Sequence, residues 1–129
     1  MRLIGIDYGS KRVGVAVSDE AGEFALPLTV LKNTKELLDE VVGLAKENEV
    51  KEIVIGDSRQ YDMSANKIQP AIMEFRKQLE GKGLKVSMEL EFMTSMQAER
   101  LQGKNDKSDA SAAALILQSF LDKKKIQQI

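Results

Sequence analysis

The residue pattern predicts an α/β fold: a mixed five-stranded sheet with helices on both faces. Three observations predict it. Three short apolar runs joined by tight turns fill residues 1–31, apolar runs then alternate with helix-spaced repeats, and an alanine-rich helix closes the chain. A meander followed by strand–helix alternation calls for antiparallel strands first and parallel strands after, with helices covering both faces.

Leu3-Ile4-Gly5-Ile6-Asp7 is the first strand, an apolar run that ends on an acid. The turn Tyr8-Gly9-Ser10-Lys11-Arg12 leads into Val13-Gly14-Val15-Ala16-Val17, and a second turn at Asp19-Glu20-Ala21-Gly22 leads into the run from Phe24 to Leu31. Pro27 interrupts that third run, which suits a sheet edge, and turns of this length make the three strands a meander. Asn33 offers an N-cap with Glu36 three residues on, and Leu37, Leu38, Val41, Val42 and Ala45 follow on one side. Ile53-Val54-Ile55 marks a buried strand, and residues 57–66 are polar and loop-like.

Ile68, Ile72, Phe75 and Leu79 recur at helical spacing, and Gly81 and Gly83 end that helix. Leu84, Val86, Met88 and Leu90 alternate with polar neighbours as the fifth strand. Thr94 with Gln97 opens a short helix to Leu101. Ser108 caps the last helix, whose apolar face runs through Ala112, Ala113, Leu115, Ile116 and Phe120, with Lys123 to Lys125 as a solvated, dipole-favoured end. No repeat or linker divides the 129 residues, so one domain over 1–129 is expected, burying roughly two-thirds of its unfolded surface.

Composition removes whole classes of chemistry. The chain is 43% hydrophobic and 30% charged, with no cysteine and no histidine. Disulfides, thiolate or imidazole metal sites, cysteine nucleophiles and serine–histidine–aspartate catalysis are excluded. An enzyme built from this chain works with carboxylates, lysines, arginines, hydroxyls or a bound metal. The net charge of −1 supplies no bulk attraction for nucleic acid, so any such contact needs a local basic face. Met1-Arg2-Leu3-Ile4 runs straight into a strand, and no apolar run approaches the roughly 20 residues of a membrane span, so a cytoplasmic protein without membrane contact is expected.

Asp7 ends a strand expected to be central, where an uncompensated charge is costly. It reads either as an acid capping the Gly9 turn or as a site carboxylate. Glu91 ends the last strand, as a solvated strand end or a second site acid. Asp109 opens the final helix, as a favoured first-turn charge or a third. Three carboxylates at element ends that one sheet can bring together suit Mg²⁺ or Mn²⁺, and such ions support phosphodiester hydrolysis without histidine. Lys11 and Arg12, close to Asp7, are candidate phosphate contacts. Arg59, Arg100, Lys104 and Lys107 are candidates for a wider nucleic-acid-binding rim, or ordinary surface charge. Tyr8 and Tyr61 offer rings for base stacking, with packing as the other role of Tyr8.

Residues 5–19, GIDYGSKRVGVAVSD, resemble the amino-terminal signature of the YqgF-type family of Holliday-junction resolvases and pre-16S rRNA nucleases. Residues 109–117, DASAAALIL, resemble that family's carboxy-terminal Asp-x-x-Ala-Ala helix. Glu91 with Thr94, Ala98 and Glu99 falls where the family has an Asp-Glu-Arg segment and a following helix. The resemblance spans nearly the whole chain. It implies a ribonuclease-H-like fold and a metal-binding, catalytic triad of Asp7, Glu91 and Asp109. It further implies a Mg²⁺- or Mn²⁺-dependent endonuclease acting on structured RNA or branched DNA, as a monomer or homodimer.

Two departures from the family are visible. Leu90-Glu91-Phe92 stands in place of Asp-Glu-Arg, which removes an arginine suited to phosphate. Residues 56–64, GDSRQYDMS, lack the family's Gly-Leu-Pro and loop glycine. These departures motivate an alternative, a binding module of the same fold with weak or lost catalysis. Asp7-Tyr8-Gly9-Ser10-Lys11 also resembles the first phosphate loop of the actin and sugar-kinase superfamily. That nucleotide-binding phosphotransfer reading is opposed by length, because those proteins clamp ATP between two such domains.

Overall fold

The computed structural model describes residues 1–57, 65–90 and 106–127. In chain order its elements are β1 (Leu3–Tyr8), β2 (Arg12–Ser18), β3 (Ala25–Lys32), α1 (Leu37–Glu47), β4 (Glu52–Asp57), α2 (Ala65–Gly81), β5 (Lys85–Leu90) and α3 (Asp106–Gln127). One five-stranded sheet runs in the order β3-β2-β1-β4-β5. β1–β2 and β2–β3 pair antiparallel, whereas β1–β4 and β4–β5 pair parallel, as the meander and the later strand–helix alternation require. β3 is the edge strand that Pro27 anticipates. Its register shifts between Val15 and Ala16, and Leu26 and Leu28 stand exposed along it, beside exposed Phe24. The short helix expected from Thr94 to Leu101 lies outside the described residues.

The two faces of the sheet carry different cores, because successive strand residues point to opposite sides. Ile4, Ile6, Val13, Val15, Ile53, Ile55 and Val86 face α1 and α2, where they meet Leu37, Val41, Ala45, Ile72, Phe75 and Leu79. Leu3, Ala16 and Val54 face α3 and meet Ala113, Ile116, Leu117 and Leu121. Helices therefore cover both faces. Among the described residues no helix is long and apolar enough to cross a membrane.

The α3 face also buries charge. Glu52 and Glu89 are buried acids on β4 and β5. Glu89 Oε2 accepts from Ser119 Oγ at 2.8 Å and from Lys123 Nζ at 2.6 Å. Glu52 accepts from Ser87 Oγ at 3.1 Å and from Lys124 Nζ at 3.4 Å. Lys123 and Lys124 are thus not a solvated helix end: their ammonium groups reach back to carboxylates under the helix. Among the described residues, Lys123→Ala leaves Glu89 the Ser119 hydroxyl as its partner. The lysine is itself 51% exposed, so water screens the pair, and the expected loss is about 1 kcal/mol by urea unfolding, shrinking in high salt.

Two expected helix caps fall elsewhere. α1 begins at Leu37, and Glu36 before it makes no side-chain capping bond. Asn33 serves the β1–β2 turn instead, its Nδ2 donating to the Gly9 carbonyl at 2.7 Å and its backbone N–H to the Lys11 carbonyl at 2.9 Å. α3 begins at Asp106, two residues ahead of Ser108.

Candidate active site

Strand register decides which way Asp7 points. Asp7 pairs with Gly14 across the antiparallel β1–β2 ladder, and directly opposed residues project to the same face. Gly14 faces α3 at very close range: a Cβ built on it would lie 2.0 Å from the Asp109 carbonyl oxygen and 2.5 Å from its carbon. Asp7 therefore projects from the carboxyl end of β1 toward the first turn of α3, where Asp109 sits. Both carboxylates are buried, each 6% exposed.

A buried carboxylate persists as an anion only with compensation. Arg12, at the start of β2 and on the same face as Gly14 and Ala16, supplies it: its Nε lies 3.0 Å from Asp109 Oδ2. The first turn of a helix adds backbone N–H groups and the positive end of the dipole. Gly9, Ser10, Lys11, Arg12 and Asp109 line an open pocket of about 290 Å³ beside this pair. The turn that forms its wall is held by the two Asn33 hydrogen bonds. Asn33→Ala removes the one to the Gly9 carbonyl, and a loss of about 1 kcal/mol in thermal or urea unfolding is expected.

The structure thus brings together four of the residues singled out from sequence: Asp7, Asp109, Lys11 and Arg12. Glu91, the residue after β5, lies outside the described residues, as do Arg59, Tyr61, Arg100 and Lys104. Lys107 is in the first turn of α3, with its side chain outside the description. Among the described residues no three acids gather as a metal-binding group, and Glu91, the remaining acid of the expected triad, lies outside them. Tyr8 projects to the other face and packs on Phe75, ring centroids 5.3 Å apart, so it forms part of the core and does not offer a stacking platform.

The residues that sequence reasoning passed over are Gly14 and Gly5. A Cβ on Gly5 would lie 2.6 Å from Leu117 Cβ and 2.9 Å from the Ala113 carbonyl oxygen. Together the two glycines let α3 lie directly on β1 and β2. Glycine inside an otherwise apolar strand signals close backbone approach, and that was the available clue.

The donor set fits a hard cation. Asp7 and Asp109 offer only oxygen, and the chain has no histidine or cysteine to draw a softer metal.

Known proteins resemble this chain in sequence and in fold. The RuvX family model, described as Holliday junction resolvase, matches residues 1–123. A Bacillus cereus (strain AH187) protein, whose name gives pre-16S rRNA nuclease as a proposed activity, is 36% identical, the match covering 96% of this chain and all of that one. A Bacillus thuringiensis (strain Al Hakam) protein of the same name matches at the same identity and coverage. Among solved structures, Thermus thermophilus RuvC in complex with a Holliday junction substrate superposes with a TM-score of 0.58 at 15% identity, covering 97% of this chain and 96% of that one. The fowlpox virus Holliday junction resolvase does so with a TM-score of 0.56 at 16% identity, covering 95% and 99%. At such identities the structural likeness speaks for the fold, which is ribonuclease-H-like. With a family model spanning all but the last six residues and relatives matched end to end, the chain belongs to the RuvX Holliday junction resolvase family.

Proposed function

We propose that this protein is a metal-dependent endonuclease that hydrolyses phosphodiester bonds in structured nucleic acid, working as a single domain in the cytoplasm. The observation that carries this reading is the pair of buried carboxylates, Asp7 and Asp109, that β1 and α3 present on one face beside a guanidinium. Family membership supports the same chemistry. The family's description points to branched DNA and the curated relatives' name to precursor 16S rRNA, so both are candidate substrates.

Asp7 and Asp109 would hold Mg²⁺ or Mn²⁺. Glu91 would complete the set, as the resemblance of its segment to the family's acidic motif implies. The metal, when bound, supplies the Lewis acidity that activates water and stabilises the leaving oxygen. The protein's own share is positioning. Lys11 and Arg12 place a backbone phosphate against the carboxylate pair, and the Asn33-braced turn keeps both cations at the rim. Arg59, Arg100, Lys104 and Lys107 would extend contact along the nucleic acid. Trimming an RNA end needs one copy, and paired cuts in a junction need two.

The test compares the wild type with Asp7→Asn on labelled four-way DNA junctions and precursor rRNA fragments, in Mg²⁺, Mn²⁺ or EDTA. Metal-dependent cutting that vanishes in the variant is the expected result. Substrates bound equally by both proteins and cut by neither would replace the nuclease with a recognition module.

A further inference from the structure

The Arg12–Asp109 contact places a guanidinium on the carboxylate that the proposed metal site would use. Asp109 Oδ2 lies 3.0 Å from Arg12 Nε, inside a site where the carboxylate side chain is only 9% exposed. A divalent cation on that carboxylate and a guanidinium 3.0 Å from it repel each other, so the two compete for Asp109. Arg12 nevertheless has somewhere to go. Its own side chain is one-third exposed, and it lines the same open pocket as Gly9, Ser10 and Lys11. The backbone beneath it is fixed by the β1–β2 ladder and by Asn33, so a change of partner needs only side-chain rotation.

We propose that Arg12 is a cation-responsive phosphate contact: it neutralises Asp109 while the site lacks metal, and metal binding releases it to a nucleic-acid phosphate. The inference rests on the metal-site reading above and adds an order to it. Metal and phosphate then bind with positive coupling, since each draws one member of the ion pair away from the other. Coupling of this kind is reciprocal: nucleic acid raises metal affinity by the factor by which metal raises nucleic-acid affinity. Arg12 here is a positioning and binding residue, with no proton transfer assigned to it.

The test is calorimetric titration of Mn²⁺ into wild type, Arg12→Gln, Arg12→Lys and Asp7→Asn, without nucleic acid, with melting curves in EDTA and in Mn²⁺. Arg12→Gln is expected to bind Mn²⁺ more tightly by about 5-fold or more. It should melt below the wild type in EDTA, where Asp109 has lost the Arg12 guanidinium, and Mn²⁺ should close that gap. Arg12→Lys should fall between the two. At saturating Mn²⁺, Arg12→Gln should hold phosphorothioate-protected junction or rRNA fragment more weakly than the wild type. An arginine that only braces the fold would leave a melting deficit that Mn²⁺ does not repair. If the wild type binds Mn²⁺, Asp7→Asn does not, and Arg12→Gln binds no more tightly than the wild type, the metal site stands and the exchange is wrong. If neither wild type nor Arg12→Gln binds Mn²⁺, both readings fall.

Discussion

Gly14→Ala is expected to lower the melting temperature by about 10 °C and to weaken Mn²⁺ binding at the same time. The new methyl group would sit 2.0 Å from the Asp109 carbonyl oxygen, a separation that must grow to at least 3.0 Å. The obstacle is helix backbone and cannot rotate away as a flexible side chain would. The first turn of α3 must retreat from β2 by the better part of an ångström or more, opening the packing beneath Ala110 and Ala113. Overpacking of this kind costs typically 1–3 kcal/mol, and a rigid obstacle belongs at the upper end. For a domain of this length that is about 10 °C. The same retreat carries Asp109 away from Asp7, so metal affinity falls with stability. Gly5→Ala is the matched control. It meets Ala113 and Leu117, about one and two turns further along α3, so it should lower stability while leaving Mn²⁺ affinity closer to that of the wild type.

The second large effect is on chemistry with the fold intact. Asp7→Asn keeps the shape of the side chain and removes its charge. What it should lose is the response to metal: no rise in melting temperature with Mn²⁺, and cutting reduced by about three orders of magnitude. Melting curves and a single-turnover cleavage assay read the two halves separately. A variant that cuts normally would remove Asp7 from the site.

How much of this was legible beforehand depended on whether the signal was local. Leu3 to Asp7 and Val13 to Val17 show as strands because their apolar runs stop at turn residues, and Pro27 marks the edge because proline cannot serve a central ladder. Asp7 and Asp109 stand out because acids abutting apolar segments are anomalous wherever they fold. Asn33 misled because an Asn three residues before a Glu satisfies the local rule for a cap. Its real partner, the Gly9 carbonyl, lies 24 residues back and is set by the β2–β3 return. Glu89 read as one of the polar neighbours in an alternating strand, and Glu52 drew no notice beside a short buried one. The face that carries both acids is covered by α3, whose position no local pattern records, and the lysines that compensate them read as a solvated helix end for the same reason. Gly5 and Gly14 belong to this group too, since each answers to a helix about 100 residues away.

The polar anchors at the far end of α3 bear on how this chain can vary. Asp109 and Lys123 are 14 positions apart, nearly four helical turns, so both lie on the side of the helix that meets the sheet. The glycine notches and the Glu89–Lys123 pair hold the helix at two widely separated points. Losing or gaining one residue between them twists one end by about 100° relative to the other. The helix could then satisfy its carboxyl-terminal anchors or present Asp109 beside Asp7, but not both. α3 therefore behaves as a ruler of fixed length, tolerant of substitution along its exposed side and intolerant of any change in residue count.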